Sequence, residues 1–363
     1  MKDAKQPNSY VTSGEFDAKE ISQIESGLDP DFFDFNNALD ELYDGSKITS
    51  GIDTLDKQSI PNGHLYRFGL KTKSGHSYSA AVGMPTAKQS SDIPIIQTGA
   101  WLTSSMGHNE HTLRTFVNNG TPFFFVGPEG SYHSSCNSLK PEFDITLAKS
   151  AAAVLRFSQI IPELFDVNIT DRALIGESRG AMVGMGVLAL DSVFGQKIIF
   201  ADLIAPCFPR KLEPSDALKL SGHLFHEPVS ILKLAFKLGI PRLIHYPSTI
   251  DLHPTALLSQ IAIGPALFSG EAGELAKLIE NDKIIHITCF NDDFASMPKE
   301  WQEIFIDNDN IRITILDGSH LTIADPETLN YLIARKNSLS VEIEQYGKNL
   351  DGQRIFDRAH QLV

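Results

Sequence analysis

The sequence predicts an α/β protein with a mostly parallel central sheet flanked by helices on both faces. Three observations carry that prediction. From residue 93 onward, short β-branched and aromatic runs alternate with longer runs of helical period, the pattern of successive β-α-β units. Upstream, strand-like runs at 65–70 and 78–83 flank Lys73-Ser74-Gly75, a hairpin signal, so an antiparallel part precedes the parallel one. Hydrophobic residues make up 42% of the 363 and charged residues 21%, enough apolar material for one large domain with an insertion or for two modest domains.

The elements follow in order. Residues 1–60 read as an N-terminal extension, acidic over 15–60; Phe32, Phe33, Phe35, Ala38, Leu39 and Leu42 recur at helical spacing there. That helix is expected to pack on the main domain or over the site. Strands are predicted at 93–97, 122–126, 172–175 and 198–206, with helices at 111–118, 145–160 and 181–190 between them. Residues 209–282 are mostly helix-like and punctuated by prolines, an insertion with its own apolar content. The pattern then resumes with a strand at 284–290, a helix at 299–305 and a strand at 311–316. A final helix starts near Asp325-Pro326-Glu327, where proline suits the first turn. The expected organisation is a core of 61–208 and 283–338, a helical cap at 209–282, and a C-terminal extension at 339–363 forming a surface helix or an oligomer contact.

Chemistry enters at Gly176-Glu177-Ser178-Arg179-Gly180, between the strand-like run ending at Ile175 and the helical run from Ala181. A G-x-S-x-G pentapeptide in that context is the nucleophile elbow. The turn is so tight that Gly176 and Gly180 are expected where a Cβ would strike the neighbouring strand or helix. It lifts the Ser178 hydroxyl above the sheet at a helix N-terminus, which favours negative charge developing nearby. A serine hydroxyl is a weak nucleophile near neutral pH, so a base is required. Asn291-Asp292-Asp293 follows one late strand and Asp317-Gly318-Ser319-His320 follows the next. In a parallel sheet both would reach the edge at which Ser178 sits.

With these residues in place, the chain resembles the α/β-hydrolase superfamily over about 64–333. The resemblance implies a Ser-His-Asp triad: Ser178 attacks, His320 takes and returns the proton, and an aspartate orients the imidazolium. Superposing the Gly-x-x-Asp that members often show puts Phe290 at the glycine and Asp293 at the acid, with Asp292 as the alternative. It also implies an oxyanion hole from the N–H of Arg179 and an N–H of Ala100 or Trp101, in the loop after 93–97. Thr98-Gly99 stands where members often have His-Gly. Gly127-Pro128-Glu129-Gly130-Ser131 matches a Gly-rich turn that members pack beside the elbow. Residues 209–282 resemble the family's cap, whose apolar helices would exclude water and suit a partly hydrophobic small-molecule substrate.

The expected activity is hydrolysis of a carboxylic ester-like bond through an acyl-serine, with no cofactor and no metal. Thioester, amide or C–C bond hydrolysis, perhydrolysis, or an idle scaffold or receptor stay open as alternatives. Glu129 or Glu177 would tune His320, or else lie at the surface or pair with Arg179, and Tyr132 and His133 are candidates for substrate contact. His108-Asn109-Glu110-His111 is a weak metal pattern, better read as a solvated helix start. No phosphate-binding glycine motif appears, and a net charge of −14 disfavours nucleic acid and anionic membranes. No apolar run reaches membrane-spanning length, and the first 20 residues lack a signal-peptide core. Three cysteines, Cys136, Cys207 and Cys289, fit reduced thiols in a cytoplasmic protein.

Overall fold

The computed structural model describes residues 52–71, 77–86, 93–98, 114, 116–127, 147–165, 171–191, 197–206, 279, 283–290, 297, 299–306, 308 and 310–317. These form strands β1 (Ile52–Ile60), β2 (Gly63–Lys71), β3 (Ser77–Pro85), β4 (Ile95–Thr98), β5 (Phe123–Val126), β6 (Asp171–Glu177), β7 (Lys197–Ile204), β8 (Ile284–Phe290) and β9 (Ile311–Leu316). Helices are α1 (Leu147–Phe165), α2 (Arg179–Leu190) and α3 (Lys299–Ile306), with a helical turn at 116–118.

The nine strands make one sheet in the order β1-β2-β3-β5-β4-β6-β7-β8-β9. β1, β2, β3 and β5 pair antiparallel in succession, and from β5 through β4 to β9 every pairing is parallel. This is the mixed sheet expected from the hairpin signal followed by β-α-β units.

The short central strands are apolar on both faces because both faces are covered. On one side, Ile96, Phe124, Leu174, Leu203 and Ile287 pack with α1, α2 and α3 in one cluster. On the other, Ile95, Phe123, Phe125 and Ile175 pack with Phe116 and Val117 of the helical turn. All twelve residues of α2 are buried, and small residues let it approach its neighbours closely. A Cβ on Gly186 would lie 3.1 Å from the Ala151 Cβ of α1.

Three details depart from the sequence reading. The sheet begins at Ile52, so the core starts inside the segment assigned to the N-terminal extension rather than at residue 61. β1 hides because a register shift between Thr54 and Asp56 breaks its alternation. The exposed Lys57 also gives it charge of the kind that protects an edge strand. A Pro61-Asn62 turn, with Asn62 at φ 60°, joins it to β2. Second, α1 continues through Pro162 instead of stopping at 160. Proline has no N–H for the carbonyl four residues back, which is that of Ser158. The Arg172 guanidinium donates to that carbonyl at 3.4 Å. Third, β7 ends at Ile204, two residues early, because Ala205 turns to φ 48°.

A buried ion pair ties the sheet edge opposite the C-terminal strand ends. Asp191 caps the end of α2 and accepts from the Ile198 N–H at 2.8 Å and from Lys283 Nζ at 2.9 Å. Both side chains are 1% exposed. One carboxylate thus joins a helix end to the starts of β7 and β8.

Candidate active site

The sheet order reverses beside β4: the chain leaves β4 for β5 on one side, while β6 lies on the other. The crossover into β5 carries the turn at 116–118 on one face, and α1 and α2 cover the opposite face. Ligands in open α/β sheets bind at such a switch point, beyond the carboxyl ends of the strands. Here those ends are Thr98 and Glu177, and Thr98 lies in register with Gly176.

The elbow stands at this point. β6 ends at Glu177, α2 starts at Arg179, and Ser178 between them has φ 55° and ψ −121°. A non-glycine residue held there costs on the order of 1–3 kcal/mol and persists when its surroundings over-determine it. Those surroundings are visible. The Ser178 N–H donates to the Ile204 carbonyl of β7 at 2.8 Å, and the Ser178 carbonyl accepts from Ala181 and Met182 as the helix begins. A Cβ on Gly176 would stand 2.5 Å from the Ala181 Cα, 2.7 Å from the Gly180 carbonyl oxygen and 2.8 Å from the Ala181 nitrogen. Strand end and helix start therefore touch backbone to backbone, which requires the first glycine of the pentapeptide. Ser178 itself is half-buried.

Arg179 opens α2, where a helix N–H points out of the N-terminal end rather than to a preceding turn. Its side chain runs the other way, 3% exposed, and Nη2 donates to Ser150 Oγ of α1 at 2.9 Å. Arg179 therefore has only its backbone to offer at the elbow. Glu177 is buried at 8% exposure and follows the strand alternation of Ile175, opposite the face that α1 and α2 cover.

Two contributors escaped the sequence reading. Thr98, 1% exposed, sends its hydroxyl into the elbow: Oγ1 lies 2.6 Å from the Gly180 carbonyl oxygen and 3.3 Å from that of Ile175. Ala205 follows β7 with φ 48°, and its N–H donates to the Thr288 carbonyl at 2.6 Å. Ser178 and Ala205 are thus two left-handed residues at adjacent strand ends, joined through Ile204. Ala205 belongs to a small apolar cluster with Ile204 and Phe290, and Leu316 packs against it. A strained alanine leaves little signal beyond its place before Pro206, which disfavours helix there.

Cys289 is 1% exposed, and loss of hydration pushes its thiol up to about 12. It stays protonated near neutral pH and is no nucleophile. His320, Asp293, Asp292, Ala100 and Trp101 lie outside the described residues, as do Gly99, Glu129, Tyr132, His133 and 209–278 of the expected cap. Chain connectivity is nonetheless informative: Asp292 and Asp293 follow β8 closely, and His320 follows β9.

No family model and no curated protein matches the chain. Solved structures do. Proline iminopeptidase of Mycobacterium smegmatis superposes with a TM-score of 0.52 at 13% identity, covering 80% of this chain and 99% of its own. A peroxisomal α/β-hydrolase of Saccharomyces cerevisiae gives 0.51 at 14% identity, covering 80% of this chain and 87% of its own. The chain has the α/β-hydrolase fold. An esterase of Exiguobacterium antarcticum adds a TM-score of 0.50 at 13% identity, over 76% of this chain and 98% of that one. Among the described residues, no helix of this α/β-hydrolase fold is long and apolar enough to cross a membrane.

Proposed function

We propose that this chain is a serine hydrolase that cleaves a carboxylic ester-like bond through an acyl-Ser178 intermediate. The observation that carries the reading is the backbone of Ser178, φ 55° and ψ −121°, at a strand–helix junction beside the sheet's switch point. Strain held by a hydrogen bond to β7 and by glycine-only contact is what a fold spends to present a hydroxyl. That the neighbouring folds include an esterase and a peptidase supports hydrolysis as the class of reaction.

In this reading Ser178 Oγ attacks the substrate carbonyl carbon as its proton passes to His320. The tetrahedral oxyanion is held by the Arg179 N–H and that of Ala100 or Trp101. Collapse breaks the bond to the leaving oxygen, which takes the proton from His320. Water, activated by the same imidazole, then releases the acid and restores Ser178. Asp293, or Asp292, orients the imidazole.

Chain reach supports the assembly. β6 and β9 are three strand spacings apart, roughly 14 Å. The four residues from Leu316 to His320 span at most about 14 Å, and the imidazole adds its own length. Asp293 needs to reach less far, since β8 neighbours β9. Residues 209–282 would supply an apolar roof, which favours partly hydrophobic substrates, and reduced thiols such as Cys289 fit a cytoplasmic setting.

The test is hydrolysis of p-nitrophenyl esters from acetate to palmitate by the wild type and Ser178→Ala, with a p-nitroanilide in parallel. The expected result is turnover that disappears in the variant, with a chain-length optimum that measures the acyl pocket. Equal turnover by both proteins would remove Ser178 from the mechanism.

A further inference from the structure

We propose that Thr98 is a positioning residue that sets the spacing between the two halves of the oxyanion hole, an inference that rests on the hydrolase reading above. Thr98 is the last residue of β4, and the loop expected to provide one donor, Gly99-Ala100-Trp101, starts at the next residue. The other donor, Arg179, immediately precedes Gly180. The Thr98 hydroxyl has one proton to donate, and the 2.6 Å contact identifies the Gly180 carbonyl as its acceptor, with the Ile175 carbonyl at 3.3 Å. A single side chain therefore joins the root of one donor loop to the helix turn that carries the other donor.

The hydroxyl adds a direct bond to a link that the backbone makes through Gly176. Strand pairing holds Thr98 beside Gly176, the last pair between β4 and β6. Beyond that pair β6 runs one residue further, to Glu177, before Ser178 turns the chain into α2. The hydroxyl reaches the first turn of the helix at the Gly180 carbonyl oxygen, the same atom against which Gly176 packs. Thr98 is 1% exposed, so water does not replace the bond when it is removed. Oxyanion donors act within a narrow window of about 2.7–3.1 Å from the charged oxygen, and deletion of one such donor costs roughly 100–1,000-fold in kcat. A hole whose two donors remain but drift apart loses part of that, about 10–100-fold.

The variants are Thr98→Val, which keeps the shape without the hydroxyl, Thr98→Ala, which removes both, and Thr98→Ser, which keeps the hydroxyl. Each is assayed for kcat and KM on p-nitrophenyl butyrate and for inhibition by an aryl trifluoromethyl ketone. That inhibitor adds reversibly to a serine and reports on oxyanion binding. The expected result is a 10–100-fold fall in kcat for Val and Ala, with KM within threefold and inhibitor affinity falling in proportion to kcat/KM. Thr98→Ser recovers most of both. Val and Ala remove the same proton, so either one, if folded by circular dichroism, suffices.

Unchanged kcat and inhibitor affinity in the folded Val or Ala variant would overturn the assignment. So would a Ser variant as impaired as Val, because the methyl group would then be the active part. An inactive wild type that takes no serine-directed label would overturn the hydrolase reading and Thr98's role with it. An active wild type that tolerates Thr98→Val overturns only the latter.

Discussion

Gly176→Ala tests whether the elbow depends on backbone contact. The new Cβ would stand 2.5 Å from the Ala181 Cα, 2.7 Å from the Gly180 carbonyl oxygen and 2.8 Å from the Ala181 nitrogen. None of these atoms is the end of a flexible side chain. Ordinary contact begins at 3.4 Å, so the first turn of α2 must retreat by about 0.9 Å. α2 is buried along its whole length and packs against α1 and β6, so that retreat disturbs a filled core. Overpacking of this kind costs typically about 1–3 kcal/mol. Catalysis should suffer more than stability. Ser178 lies between Gly176 and the displaced turn, and a misplacement of about 1 Å can cost on the order of 100-fold in rate. The assay pairs a thermal melt with kcat on a p-nitrophenyl ester. The expected outcome is a folded protein with a modestly lowered Tm and a rate reduced about 100-fold or more. A variant with wild-type rate and Tm would show that strand end and helix start are not in contact, and the account of Ser178's strain would go with it.

Three further outcomes follow from the same structure. Lys283→Met leaves Asp191 buried without its cation and should cost about 3–5 kcal/mol, read from urea unfolding, whereas replacing both partners by apolar residues costs less. Cys289 should resist Ellman's reagent until the protein unfolds; rapid labelling of the native protein at that position would contradict its burial. The folded thiol holds its proton to about 12 against an ordinary value of 9.0, so above pH 9 the unfolded state releases a proton that the native state keeps. Stability should therefore fall as pH rises from 9 towards 12, by up to roughly 1.4 kcal/mol per pH unit, and Cys289→Ala should show a shallower decline.

Much of this fold is legible in the sequence because its central parallel strands are covered on both faces. Runs such as Phe123 to Val126 and Ile284 to Phe290 are short, apolar and bounded, and each forms a strand at the expected place. The pentapeptide likewise announces the strand–turn–helix junction at Ser178, since tight turn chemistry is local. What the sequence hides is set by distant partners. β1 reads as a polar tail because an edge strand with a register shift lacks alternation, and only its pairing with β2 makes it a strand. α1 passes through Pro162 because Arg172, fourteen residues from Ser158, takes the abandoned carbonyl. Thr98 reaches a carbonyl 82 residues away, a contact invisible in a stretch read as a loop start. Ala205 adopts φ 48° although no composition signal favours it.

Covalent labelling reads out directly whether Ser178 is an activated nucleophile. Wild type and Ser178→Ala would be treated with a fluorophosphonate, weighed intact by mass spectrometry and mapped by peptide sequencing. The expected result is one adduct per chain, on the peptide carrying Gly176 to Gly180, and none on the variant. An unlabelled wild type, or an adduct retained by Ser178→Ala, would contradict it.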